Sequence, residues 1–120
     1  MAPLVTIEDR TYRFALELVR AYRGMPPVDA ADRVMWQQLL KAGTSIGANS
    51  AESGGAQSRN DWLTRRYIAL KEAREAQFWL RLLNDTRPSR SAAVANLQQE
   101  AGELVAILTA AVRTATGKWK

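Results

Sequence analysis

Apolar residues recur at helical spacing in four separate stretches, and this periodicity limits the possible folds more than any other feature of the chain. In the first stretch, about residues 7–23, Phe14, Leu18 and Tyr22 repeat every four positions. In the second, about 29–51, Met35, Leu39, Ala42 and Ile46 form one stripe, and Trp36, Leu40, Gly43 and Gly47 form its neighbour. The third, about 59–84, offers Leu63, Tyr67, Leu70, Ala73, Leu80 and Leu83 as an inner face. The fourth, about 91–114, offers Val94, Leu97, Ala101, Leu104, Leu108 and Ala111. Nothing alternates with the period of a strand.

The breaks between stretches carry turn chemistry. Gly24 and Pro26-Pro27 end the first helix, Ser53-Gly54-Gly55 the second, and the connection from Asn84 to Arg90 contains Pro88. Helix starts are marked as well: Thr6 with Asp9 is a capping-box variant, Asp29 can cap the second helix, and Ser58 with Asp61 frames the third. Gly43 and Gly47 each cost roughly 1 kcal/mol of helix propensity relative to alanine. Small residues four apart suggest that another helix approaches closely there. Four amphipathic helices with short connections predict an all-α chain, an antiparallel up-down-up-down four-helix bundle forming one domain over residues 1–120.

A chain of 120 residues with 47% apolar content can bury one sizeable core. It contains neither cysteine nor histidine. That removes disulfides, thiolate nucleophiles and the imidazole that serves as general base or ligand for zinc and iron. No enzymatic activity, metal or cofactor is therefore expected. The N-terminus lacks a charged segment before a long apolar run, and no stretch approaches the ~18 apolar residues of a membrane span. A cytoplasmic protein without membrane contact is expected.

Seventeen Lys and Arg against twelve Asp and Glu give a net charge of +5. Thirteen of the seventeen are arginine, whose planar fork suits phosphate and carboxylate. A GC-rich gene would yield the same bias. Arg10, Arg13, Arg20 and Arg23 fall on one outer stripe of the first helix, and Arg59, Arg65 and Arg66 cluster at the start of the third. These seven are the candidate nucleic-acid contacts, by phosphate neutralisation with little base specificity. A solvated face balanced by acids such as Glu17 is the plainer reading.

Ser45, Asn49 and Glu52 interrupt the buried face of the second helix, with Glu72 and Glu75 as a matching set on the third. Such groups need a cation or several donors if buried. They are expected to form a structural polar layer, meeting Lys71 or an arginine. As a carboxylate cluster for catalysis they would need a metal, yet paired-iron bundles also require Glu-x-x-His motifs. The Gly54-Gly55 pair lacks the pattern of a phosphate loop. Trp36, Trp62 and Trp79 lie beside apolar stripes and are the candidate oligomer interface. Trp119, in Lys-Trp-Lys, reads as a tail.

The stretch from Gln38 through Asn49 (Gln-Leu-Leu-Lys-Ala-Gly-Thr-Ser-Ile-Gly-Ala-Asn), followed by Glu52, Ser58-Arg59 and Trp62, resembles the four helix bundle protein family. That family is also called the 23S rRNA intervening-sequence protein family. Ile68-Ala-Leu-Lys-Glu-Ala-Arg-Glu75 and Trp79-Leu-Arg-Leu-Leu83 resemble its third-helix signature. Residues 38–83 match closely and the outer helices by pattern. Ser50 stands where an aromatic is frequent, and Ser53-Gly54-Gly55-Ala56 replaces a more charged linker. The resemblance implies a bundle assembling as a homopentamer, with a gene sometimes carried in ribosomal RNA operons and no established activity. Related Avd accessory proteins of diversity-generating retroelements form pentamers that bind nucleic acid and a reverse transcriptase. The expectation is a non-enzymatic oligomeric accessory protein binding RNA or DNA through its arginines. The alternative is a protein scaffold that docks an enzyme such as a reverse transcriptase.

Overall fold

The computed structural model describes residues 5–87 and 92–116. These residues form four helices, α1 (Ile7–Gly24), α2 (Ala30–Gly54), α3 (Arg59–Thr86) and α4 (Ala92–Thr116). No strand occurs among them. Three helix starts carry the caps their sequences suggest. Thr6 Oγ1 accepts from the Asp9 amide at 3.0 Å, Asp29 Oδ1 from the Asp32 amide at 2.8 Å, and Ser58 Oγ from the Asp61 amide at 3.0 Å. α2 runs on through Ser53 and Gly54 and is capped by Gly55, whose amide reaches the Glu52 and Ser53 carbonyls. Serine tolerates a helix, so only the second glycine stops it. Pro88 and Trp119 lie outside the described residues.

One apolar cluster draws on all four helices, with Leu18, Trp36, Leu39, Ile46, Leu80, Leu83, Leu104 and Leu108 wholly buried. Each such side chain contributes about 1.5–3 kcal/mol relative to exposure. Two expected inward residues differ. Tyr67 is 42% exposed, because it lies on the outer side of α3. In α4 the last inward position is Val112, one residue beyond Ala111, which is only half-buried.

α1 packs on α2, α2 on α3, α3 on α4, and α1 also meets α4. The α1–α2 contact is close where the glycines sit. A methyl on Gly43 would overlap Leu18 Cδ2, and one on Gly47 would lie 3.3 Å from the Thr11 backbone oxygen. The propensity lost at these positions is exchanged for backbone approach. Arginines fasten the remaining contacts. Arg66 of α3 reaches Glu8 of α1 at 2.9 Å, and Arg59 Nη2 donates to the Ala115 carbonyl of α4 at 2.6 Å. Arg87, just after α3, meets Asp29 at 3.1 Å and Asp32 at 3.6 Å at the start of α2. These ties align the helices along their lengths and decide which arginines remain free.

Candidate functional site

The seven arginines singled out by spacing do not form one surface. Arg10 lies where α1 meets α4, and its Nε and Nη2 donate to the two oxygens of Glu100 at 2.7 and 2.8 Å. Nη2 also donates to Glu103 at 2.7 Å. Hydrogen bonds to Glu100 and then Glu103 raise its pKa, so the guanidinium is held charged and already neutralised. Arg66 is only 7% exposed; besides Glu8, its guanidinium lies 5.3 Å from the Trp62 ring centroid. Arg65 is shared by Glu52 at 3.1 Å, Asp61 at 3.7 Å and the Asn49 carbonyl oxygen at 3.4 Å.

Of the expected phosphate contacts, Arg66, Arg10 and Arg65 are thus engaged within the chain. Buried or multiply paired guanidiniums must break internal bonds before meeting a phosphate. Arg20 pairs with Glu17 at 2.9 Å, but both are exposed, and such a pair is easily exchanged. Arg13 and Arg23 are exposed and have no partner among the described residues. Arg13 borders a hollow of about 360 Å³ between α1 and α4, lined also by Glu17 of α1 and Glu100 of α4.

The polar layer is divided in two. Asn49 Nδ2 donates to the Ser45 carbonyl at 3.0 Å and to Ser45 Oγ at 3.1 Å, and Arg65 joins Asn49 to Glu52. Glu52 is exposed rather than buried, at 60% of its side chain, so this half is a surface network. Further along α3, Glu72 and Glu75 are half-buried. Burial raises the Glu72 pKa above 4.5, with help from the charge of Glu75 and against Lys71 and Lys41. Glu75 accepts from Trp79 Nε1 at 3.3 Å. No group of three or more metal-ligating side chains forms among the described residues. The buried polar side chains of α2 are instead Asp32, Ser50 and Ser53, which interrupt the apolar rows without changing their period.

Among the tryptophans, Trp36 is wholly buried and packs edge-on against Tyr22, with centroids 5.5 Å apart. It is a core residue and cannot serve as an interface on the folded surface. Trp62 and Trp79 are half-buried. Beside Trp79 stands Phe78, 57% exposed, with ring centroids 4.9 Å apart at 83°. Spacing could have found this face. Tyr67, Lys71, Arg74, Phe78 and Arg81 recur at intervals of four and three, a helical stripe hidden by mixing aromatics with cations.

Residues 5–110 match the family described as 23S rRNA-intervening sequence protein. The chain belongs to that family. It is also similar to a crystal structure of a protein with unknown function from the S23 ribosomal protein family of Bacteroides thetaiotaomicron. Identity is 34%, covering 90% of this chain and 99% of that one, with a TM-score of 0.78. No curated protein matches the chain. The family match covers α1 to α3 and α4 as far as residue 110, including the α1 arginines and the α3 stripe. No helix among the described residues is long and apolar enough to cross a membrane.

Proposed function

We propose that the chain is a non-catalytic, oligomeric accessory protein of the cytoplasm that binds RNA or DNA through cations its own acids leave free. The observation that carries this reading is the exposed pair Arg13 and Arg23 on α1, without partners among the described residues in a chain of net charge +5. Arg20, lightly held by exposed Glu17, extends that strip. Contacts of this kind neutralise phosphates and read no sequence. The bundle is taken as up-down-up-down, in keeping with Arg87 beside the start of α2 and Arg59 beside the end of α4.

Self-association as a pentamer is part of the proposal, its stoichiometry taken from the family resemblance. Half-buried Trp62 and Trp79 are suitable contacts for it. The same aromatics favour a second reading, a scaffold that docks a partner enzyme such as a reverse transcriptase without touching nucleic acid. Titrating structured RNA at two salt concentrations tests the first reading. Affinity should fall steeply as salt rises. Absence of binding at low salt, or affinity indifferent to salt, sinks it and leaves the scaffold reading. Native mass spectrometry should return five times the 13.3 kDa chain mass; a monomer refutes the assembly.

A further inference from the structure

The outward face of α3 has a composition that neither the core nor the inter-helix ties explain. Tyr67, Lys71, Arg74, Phe78 and Arg81 lie within about 80° of arc at 3.6 residues per turn, along roughly 21 Å of helix. Tyr67 is 42% exposed and Phe78 57%. Arg74 has no partner among the described residues. Arg81 has only Asp85 at 3.8 Å, with both side chains largely in solvent. The acids of this helix segment, Glu72 and Glu75, are half-buried rather than exposed, so the outward stripe itself is cationic.

The surface is shaped as well as charged. One shallow hollow is walled by Tyr67, Lys71 and Arg74, and a second by Arg74, Phe78 and Arg81 with the amides of Gln77 and Gln98. Arg74 borders both. The Phe78 ring is held by its edge-to-face contact with Trp79, whose indole N–H is in turn held by Glu75. An exposed aromatic with its orientation already fixed is a stacking platform that loses little rotamer freedom on binding.

We propose that this face is a track for a single-stranded polynucleotide. Bases stack on Tyr67 and Phe78, while Lys71, Arg74 and Arg81 hold the phosphates between them. Duplexes keep their bases stacked inside and offer aromatics nothing to stack on; single strands offer every base. Three cations turned outward favour a polyanion over an apolar protein surface or a second copy of this equally basic chain. The proposal rests on the nucleic-acid reading above but not on the α1 arginines.

The test is fluorescence anisotropy on the full chain with labelled twelve-nucleotide single strands, in RNA and DNA form, and with a duplex of the same length. Wild type should prefer the single strands. Tyr67→Ala and Phe78→Ala should each weaken single-strand binding roughly fivefold or more, leaving duplex binding and the salt slope unchanged. Phe78→Trp should restore it. Arg74→Ala should reduce the slope of log affinity against log salt by about 0.7. All three positions are on the surface, so circular dichroism should report unchanged helicity. Single-strand affinity indifferent to both aromatics overturns the proposal. So does loss of assembly on Phe78→Ala, which assigns the face to a second copy. Binding lost only in an Arg13→Ala/Arg23→Ala double variant overturns the track while sparing the broader function. No binding by wild type refutes both.

Discussion

Replacing Gly43 and Gly102 separately by alanine isolates what close helix packing contributes. Both glycines lie inside long helices, α2 and α4, so each substitution gains the same intrinsic helix propensity, about 0.8–1 kcal/mol. Their surroundings differ. A methyl at Gly102 meets only Gln77 Nε2 at 3.6 Å, an ordinary contact. That variant should be stabilised by nearly the full propensity term. A methyl at Gly43 overlaps Leu18 Cδ2 and lies 3.4 Å from Phe14 Cε2. Leu18 and Phe14 are 0% and 2% exposed, so neither can swing into solvent. Overpacking of this kind costs about 1–3 kcal/mol. Net of the propensity gain, Gly43→Ala should range from neutral to about 2 kcal/mol destabilised. Between the two variants the propensity term cancels, leaving about 1–3 kcal/mol. Urea unfolding followed by circular dichroism, at one protein concentration, should separate their midpoints by roughly 0.5–2 M at unchanged slope. If Gly43→Ala gains as much as Gly102→Ala, α1 does not press on α2 as described.

The Glu8–Arg66 pair should respond asymmetrically. Glu8→Ala leaves a nearly buried cation with only Trp62 and should cost about 2 kcal/mol, whereas Arg66→Met leaves an acid in solvent at a helix start and should stay within about 1 kcal/mol of wild type. Thermal melts of the two variants check this, and equal losses would contradict it. Arg10→Lys keeps the charge but loses the fork that grips Glu100 and Glu103, so it should destabilise by about 1 kcal/mol, read in urea; no loss would reduce the tie to simple Coulomb attraction. Glu72 has its pKa raised on folding, so the folded state binds that proton more tightly than the unfolded chain. Its ionised form therefore subtracts stability as pH rises through the folded pKa, and Glu72→Gln should stabilise the protein at pH 7 but not below pH 4.5. A gain that persists at acid pH would point to packing instead.

The helices were legible because burial along one face imposes a period that needs no knowledge of the partner. Their starts were legible too, since Thr6, Asp29 and Ser58 cap through bonds that span three residues. Gly43 and Gly47 announced a close approach, although not that α1 makes it. Trp36 and Trp62 could not be told apart by pattern. Both are large aromatics beside apolar stripes, and only packing makes one core and leaves the other half-exposed. Arginine roles were the least legible. A helical stripe fixes the direction in which Arg10 points, but its acids lie 90 and 93 residues away. Spacing is blind to a partner at that distance.

The basic composition thus divides into two populations with different physical work. Arg10, Arg59, Arg65, Arg66 and Arg87 bond to acids or carbonyls across helix contacts, where the guanidinium's several donors satisfy more than one acceptor. Gene composition alone would scatter arginines without placing Glu100, Glu8 and Asp29 to meet them. Arg13, Arg23 and Arg74 meet no acid among the described residues and remain in solvent. The net charge consequently understates how uneven the surface is. Acids are drawn toward the ties, and cations left over stand on the outer sides of α1 and α3, with Arg33 exposed on α2 besides. A chain that neutralises its inter-helix arginines so thoroughly yet leaves these three free presents a polyanion with two outer faces, and only the α3 face adds aromatics on which bases can stack.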